Sequence, residues 1–191
     1  MKLELPAVKL PKFKYKKAGA DLKKAFAKLS EGGFEKIFKQ IDQLNIKHGV
    51  DTLGIDKFIQ QCAVLAAGSG AITGLGGIAT MLIGVPVDMI NLLTQQFRVT
   101  MAISYYYTGK STFTFSDFIK IVAASLKVDT RMTVSKTLIE EVAEKLMVSI
   151  GSKTAERLLP IVGAVIGGTA NYLFIKRMAD NLHEKYAPVV G

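Results

Sequence analysis

Residues 58–87 read FIQQCAVLAAGSGAITGLGGIATMLIGVPV, thirty consecutive positions without a charge. A bilayer-spanning helix needs about 20 apolar residues, so length alone admits a membrane span. The centre of the run argues the other way. Gly68, Gly70, Gly74, Gly76 and Gly77 crowd it, with Ser69, Thr73 and Thr80 among them, so its densest part is only mildly hydrophobic. Glycines spaced like Gly70 and Gly74 let helix backbones approach closely, in lipid or in water. The expected structure is a helix over about 54–68, then a glycine-rich segment that is helical, bent or looped. Pro86 suits the first turn of the next helix.

A second run behaves similarly. Residues 158–175 are uncharged and are followed by Lys176 and Arg177. They contain the small-residue spacing Gly163/Gly167 and the neighbouring Gly168, but also Pro160, Thr169 and Asn171. An uncovered asparagine is disfavoured in lipid. Both runs therefore fit central helices of a bundle, close-packed through Gly70, Gly74, Gly76, Gly77, Gly163, Gly167 and Gly168; a membrane-inserted hairpin is the competing reading.

Helical periodicity extends through the rest of the chain. Leu22, Phe26 and Leu29 share a face in a helix over about 18–30, broken by Glu31-Gly32-Gly33. Phe34, Ile37, Phe38, Ile41 and Leu44 form one stripe over about 33–47, with a stop at His48-Gly49. The helix from Pro86 runs to about Tyr107 and stops at Thr108-Gly109-Lys110. A short helix in 111–130 has Thr114 or Ser116 as its cap. Leu138, Val142, Leu146 and Ile150 recur over 132–149, with Lys136/Glu140 and Glu141/Lys145 as surface pairs and Gly151-Ser152 as a break. A long helical stretch covers about 153–186, kinked or restarted at Pro160. The fold class expected is all-α: a multi-helix bundle with glycine-rich central helices, one domain over 18–187 behind an arm over 1–17.

The charge is uneven. Of the net +9, residues 1–47 carry +7 and the other 144 residues +2. The first seventeen residues, MKLELPAVKLPKFKYKK, have no unbroken apolar core, which excludes a signal-peptide pattern within them. Lys9, Lys12, Lys14, Lys16 and Lys17 make this arm a candidate contact for an anionic surface, and residues 12–16 alternate cation and aromatic. An anionic lipid surface or a membrane protein is the partner these features indicate, with a cytoplasmic location, peripheral at the inner face of the membrane. A homo-oligomer closed by the glycine-bearing helices is a further option. Nucleic acid is an alternative partner for the arm, but no helix-turn-helix, zinc finger or aromatic RNA-binding signature accompanies it.

Within the helix after Pro86, Asp88, Asn91, Gln95 and Arg98 fall inside an arc of about 80° at 100° per residue. Such an arc is either a solvated stripe or a buried polar seam, with Arg98 reaching a carboxylate on another helix and Asn171 as the natural partner. It is also where a small-ligand binder or an enzyme would place its Asp88/Arg98 face. The remaining chemistry is thin. His48 and His183 sit near helix ends in no ligand-like spacing, so no metal is expected. The glycine run Gly68-Ser69-Gly70-Ala71-Ile72-Thr73-Gly74 is one residue longer than the dinucleotide fingerprint, follows no strand, and lacks the Gly-Lys-Ser/Thr of a phosphate loop, so no cofactor is expected. The single cysteine, Cys62, reads as a small buried hydrophobe. A non-enzymatic protein is the expectation.

From Gly68 to Asp180 the chain resembles the EcsC protein family. The likeness lies in Gly74-Leu75-Gly76-Gly77, Pro86, Asp88, Arg98, Ala102 and Tyr107-Thr108-Gly109. It continues in the run from Pro160 through Gly163, Gly167 and Gly168 to Asn171-Tyr172 and Ala179. Thr108 departs from the pattern, in which glycine follows the tyrosine directly. The resemblance implies a bacterial helical protein with membrane association. The family is named for a protein encoded beside the subunits of an ABC transport system. It has no established biochemical activity and carries over no catalytic residue, but it puts weight on Asp88, Arg98 and Asn171.

Overall fold

The structure, a computed structural model, describes residues 24–68, 82, 85–131, 133–155 and 165–186, of which 149–155 and 165–170 by backbone alone. The fold is an all-α bundle, with seven α-helices and no strand among the described residues. The helices are α1 (Phe34–Gln40), α2 (Gln43–Leu53), α3 (Ile55–Ala67), α4 (Val87–Thr108), α5 (Phe115–Ser125), α6 (Lys136–Ala155) and α7 (Val165–Tyr186). Helical backbone at 24–28 leads through a wide turn at Leu29–Gly33, where Glu31 and Gly32 leave helical geometry, into α1. The arm over 1–17, with Lys9, Lys12, Lys14, Lys16 and Lys17, lies outside the described residues. So do Gly70, Gly74, Gly76, Gly77, Pro160 and Gly163, while Gly167 and Gly168 fall in the opening turn of α7.

The thirty-residue uncharged run is not one helix. α3 ends at Ala67, Gly68 is extended (φ −84°, ψ 116°), and α4 starts at Val87 with Pro86 as its N-cap. Among the described residues no helix is long and apolar enough to cross a membrane.

The single helix expected over 33–47 is two. Ile41 turns extended (φ −83°, ψ 120°), and Asp42 caps a new helix by accepting from the Asn45 amide at 3.1 Å. Breaking the helix there shifts the phase of its apolar stripe. Ile46 and Val50 become the buried positions, and Leu44, expected in the core, is 70% exposed. Nor does Gly49 stop the helix, which continues to Leu53 and ends at Gly54. Gly49 has a packing role instead: a Cβ there would stand 2.6 Å from the Phe58 ring, so only glycine lets that ring lie on α2. The backbone of α6 likewise runs through Gly151 and Ser152 to Ala155, since glycine costs a helix about 1 kcal/mol without forbidding it. Lys136 and Glu140 pair at 3.7 Å; Glu141 and Lys145, both exposed, form no ion pair among the described residues.

α4 is the centre. Fourteen of its 22 residues are buried, from Ile90 to Ser104. α3 and α7 pack against it and against each other in the most extensive interfaces of the bundle, through small residues such as Cys62, Ala63, Ala66 and Ala179. On another face of α4, Phe97 meets Phe118 at 4.3 Å and Phe34 at 5.9 Å between ring centroids, and Phe38 meets Phe118 at 5.2 Å. Tilted aromatic pairs of this kind add about 0.5–1.5 kcal/mol each beyond the area they bury.

Candidate functional site

The polar arc of α4 is a buried seam. Asn91 and Gln95 are 4% and 5% exposed, and Arg98 is half-buried. The last carbonyls of any α-helix have no partner within it, and α3 ends at the half-buried Ala67 and Gly68, beside α4 and α7. Gly68 N donates to Val64 O at 3.1 Å. Asn91 Nδ2 donates to Leu65 O at 2.8 Å and reaches Gly68 O at 3.5 Å. From α7, Asn171 Nδ2 donates to Ala66 O at 3.0 Å. Two asparagines from two other helices therefore cap one helix end.

The seam continues away from that end. Gln95 Nε2 donates to Asn91 Oδ1 at 3.2 Å, and Arg98 Nη1 donates to Gln95 Oε1 at 2.9 Å. Both termini of this chain of bonds are chemically unambiguous: a backbone carbonyl only accepts and a guanidinium only donates. The two amides between them are thus forced into one orientation, every donor pointing from Arg98 toward α3. Aligned bonds of this kind polarise one another. They also set a cation at one end of the line and the negative end of the α3 dipole at the other. The guanidinium carbon of Arg98 lies 5.3 Å from the Phe58 ring centroid, and Phe58 is the ring that rests on Gly49.

Two sequence expectations are corrected here. Arg98 reaches no carboxylate, forming no ion pair among the described residues; its partners are Gln95 and the Phe58 face. Asp88 is not in the seam. Pro86, Val87 and Asp88 are all exposed, so Asp88 is left as a first-turn acid in water. Asn171 does join the seam, although the asparagines meet on α3 rather than on each other.

The seam offers no reacting group. Cys62 on α3 is fully buried; burial pushes its thiol up to about 11 against the opposing pull of Arg98, so it stays protonated at neutral pH. Neither described groove is lined by a seam residue. Among the described residues no group of three His, Cys, Asp or Glu side chains is placed to hold a metal. His48 lies on an exposed turn of α2, and His183 Nδ1 is 3.0 Å from Tyr107 OH. That contact belongs to an aromatic cluster at the C-terminal ends of α4 and α7. Tyr107 stacks on Tyr186 at 5.5 Å, Tyr106 is exposed beside it, and Tyr105 OH donates to Asp51 at 2.7 Å.

Sequence reading missed one clamp. Gln43 grips the Phe113 backbone in both directions, Nε2 donating to its carbonyl at 3.1 Å and Oε1 accepting from its amide at 2.7 Å. The partners are 70 positions apart, and only the Thr114 cap next to Phe113 is visible locally. No protein-family model matches the sequence, and no curated protein or solved structure matches it significantly.

Proposed function

We propose that this is a non-enzymatic helical protein of a bacterial cell, of the EcsC kind, that attaches to the anionic face of a membrane through its basic amino-terminal segment. The observation that carries this reading is the division of charge: +7 in residues 1–47 against +2 in the remaining 144. Clustered lysines near an anionic bilayer contribute about 1 kcal/mol each, and salt screens them within about 10 Å. The seam supports the same reading by what it lacks. Its amides are spent on helix carbonyls, and its cysteine is a protonated thiol in the core. The exposed Tyr106 and Tyr107 are of the residue type that sits well at a lipid headgroup level.

The test is sedimentation with vesicles of phosphatidylcholine containing phosphatidylserine. The full chain is expected to bind at low salt and to be released at high salt. Replacing Lys9, Lys12, Lys14, Lys16 and Lys17 together by Gln is expected to weaken binding at least tenfold. Indifference of the full chain to anionic vesicles at low salt would sink the reading. Retention on native membranes but not on pure lipid would move the contact to a membrane protein.

A further inference from the structure

The C-terminal ends of α4 and α7 meet in a cluster of rings. Tyr106 meets Tyr107 edge-on at 5.1 Å between centroids, Tyr107 stacks on Tyr186 at 5.5 Å, and the His183 ring stands 5.7 Å from Tyr107. A lone exposed aromatic needs no explanation, but a contiguous group does. A surface tyrosine ordinarily buries its ring and leaves its hydroxyl in water. Here three of the four hydroxyls at this end are spent on the protein itself. Tyr105 OH donates to Asp51 at 2.7 Å, Tyr107 OH shares a hydrogen bond with His183 Nδ1 at 3.0 Å, and Tyr186 OH donates to Ser104 Oγ at 3.4 Å. What remains for the surface is ring carbon: Tyr106 is 54% exposed and Tyr107 38%. Only the Tyr106 hydroxyl lacks a partner among the described residues. The charge around the cluster leans positive. Lys47, 5.3 Å over the Tyr105 ring, and Lys110, just past α4, are paired to Asp51 and Asp117. Lys185, next to Tyr186, is exposed and forms no ion pair among the described residues. The neighbouring acid, Glu184, lies about 160° round α7 from Tyr186.

We propose that this end of the bundle is the face that rests on the anionic bilayer, with Tyr106 and Tyr107 at the level of the lipid headgroups. Amphipathic rings suit that level: the ring enters the upper acyl region while a hydroxyl stays among polar groups. Tyr106 has the exposed ring and the uncommitted hydroxyl that such a position uses. The uncompensated charge of Lys185 complements anionic lipid. Lys110 and Lys185 also offset the negative ends of the α4 and α7 dipoles, which would otherwise oppose an anionic surface. The contact needs no spanning helix. The last turn of α4 lies among the headgroups, and its first turn, about 28 Å back along the helix, stays in water. The inference rests on the attachment reading above and adds to it which face of the folded bundle meets the lipid.

The chain contains no tryptophan, so Tyr106→Trp in the full-length protein gives a single reporter. Val87→Trp, at an exposed position at the other end of α4, gives its control. Each variant is mixed at low salt with vesicles of phosphatidylcholine and phosphatidylserine, with and without bromine on the acyl chains. The Tyr106→Trp emission is expected to shift to the blue on binding and to be strongly quenched by brominated lipid. The Val87→Trp emission is expected to do neither. Tyr106→Ser removes the ring without breaking a hydrogen bond. It is expected to weaken vesicle binding roughly fivefold, with helicity by circular dichroism unchanged. A vesicle-bound chain whose Tyr106→Trp emission stays that of tryptophan in water overturns the inference. Equal quenching of the two reporters overturns it too, because no one end then faces the lipid. Undiminished binding by Tyr106→Ser does the same. In each of these cases the chain has bound, so the attachment reading stands. A chain that binds no anionic vesicle overturns both.

Discussion

α3 and α4 share a closing bond from the glycine that follows each, and differ in what serves the remaining carbonyls. α4 stops by local means. Gly109 takes the left-handed conformation at φ +71° and donates to Tyr105 O at 2.8 Å, and Thr108 Oγ1 donates to Ser104 O at 2.6 Å. α3 makes one local closing bond, Gly68 N to Val64 O at 3.1 Å, but its next two carbonyls are met by groups delivered from elsewhere, Asn91 being 26 positions from Leu65 and Asn171 being 105 from Ala66. The end of α4 is exposed, where water stands ready for any carbonyl left over; the end of α3 is half-buried, and its carbonyls are met by side chains from α4 and α7. A cap costs little to lose in the first setting and much in the second.

That contrast orders the expected effects of substitution. Asn91→Ala strips the half-buried Leu65 carbonyl of its donor and leaves the buried Gln95 Nε2 without its acceptor. A loss of about 2–4 kcal/mol in denaturant unfolding is expected. Asn171→Ala removes one bond to one carbonyl and should cost about 1–2 kcal/mol by the same measurement. If either change is neutral, the α3 end is hydrated and the contrast between the two ends collapses. Gly109→Ala adds a side chain to left-handed backbone and should cost about 1 kcal/mol with the fold intact, read as a modest drop in the unfolding midpoint.

The smallest effect concerns a helix start. At the N-terminus of α5, Thr114 and Asp117 cap each other's backbone amides at 3.1 Å, and Lys110 Nζ lies 2.9 Å from Asp117. Hydrogen bonds from Lys110 and Thr114 hold the Asp117 carboxyl down at about 2, below its ordinary 3.8. A carboxylate depressed on folding stabilises the native state above its unfolded value. The contribution should therefore be full above about pH 4 and disappear as pH falls through about 2. Asp117→Asn should flatten that part of an acid titration, by a small amount because the pair is solvated.

The same contrast explains what the sequence made legible. The stop at Thr108-Gly109 and the periodic helices α3 to α5 depend on residues a few positions apart, and they read correctly, as did Thr114 as one of the two caps considered for α5; α6 was found, but not its continuation through Gly151 and Ser152. Leu44 read wrongly because the break at Ile41-Asp42 re-phased the stripe, and Asp42 as a cap is weak evidence beside four in-phase apolar residues. The polar arc at Asn91, Gln95 and Arg98 was visible as an arc. What it faced was not, since nothing near Leu65 in the sequence says that its carbonyl lacks a partner. Gly49 invited the reading of a stop because glycine's meaning there depends on Phe58, which arrives from the next helix.

The proposed function implies a division of labour, in which the seam would hold the bundle together and the amino-terminal lysines would make the contact. It is tested most directly by measuring unfolding and anionic-vesicle binding side by side for the native chain and Asn91→Ala. The prediction is a stability loss of about 2–4 kcal/mol with vesicle binding unchanged at temperatures where the variant is folded. Unchanged stability with binding lost would contradict it, and would make the seam the working site of the protein.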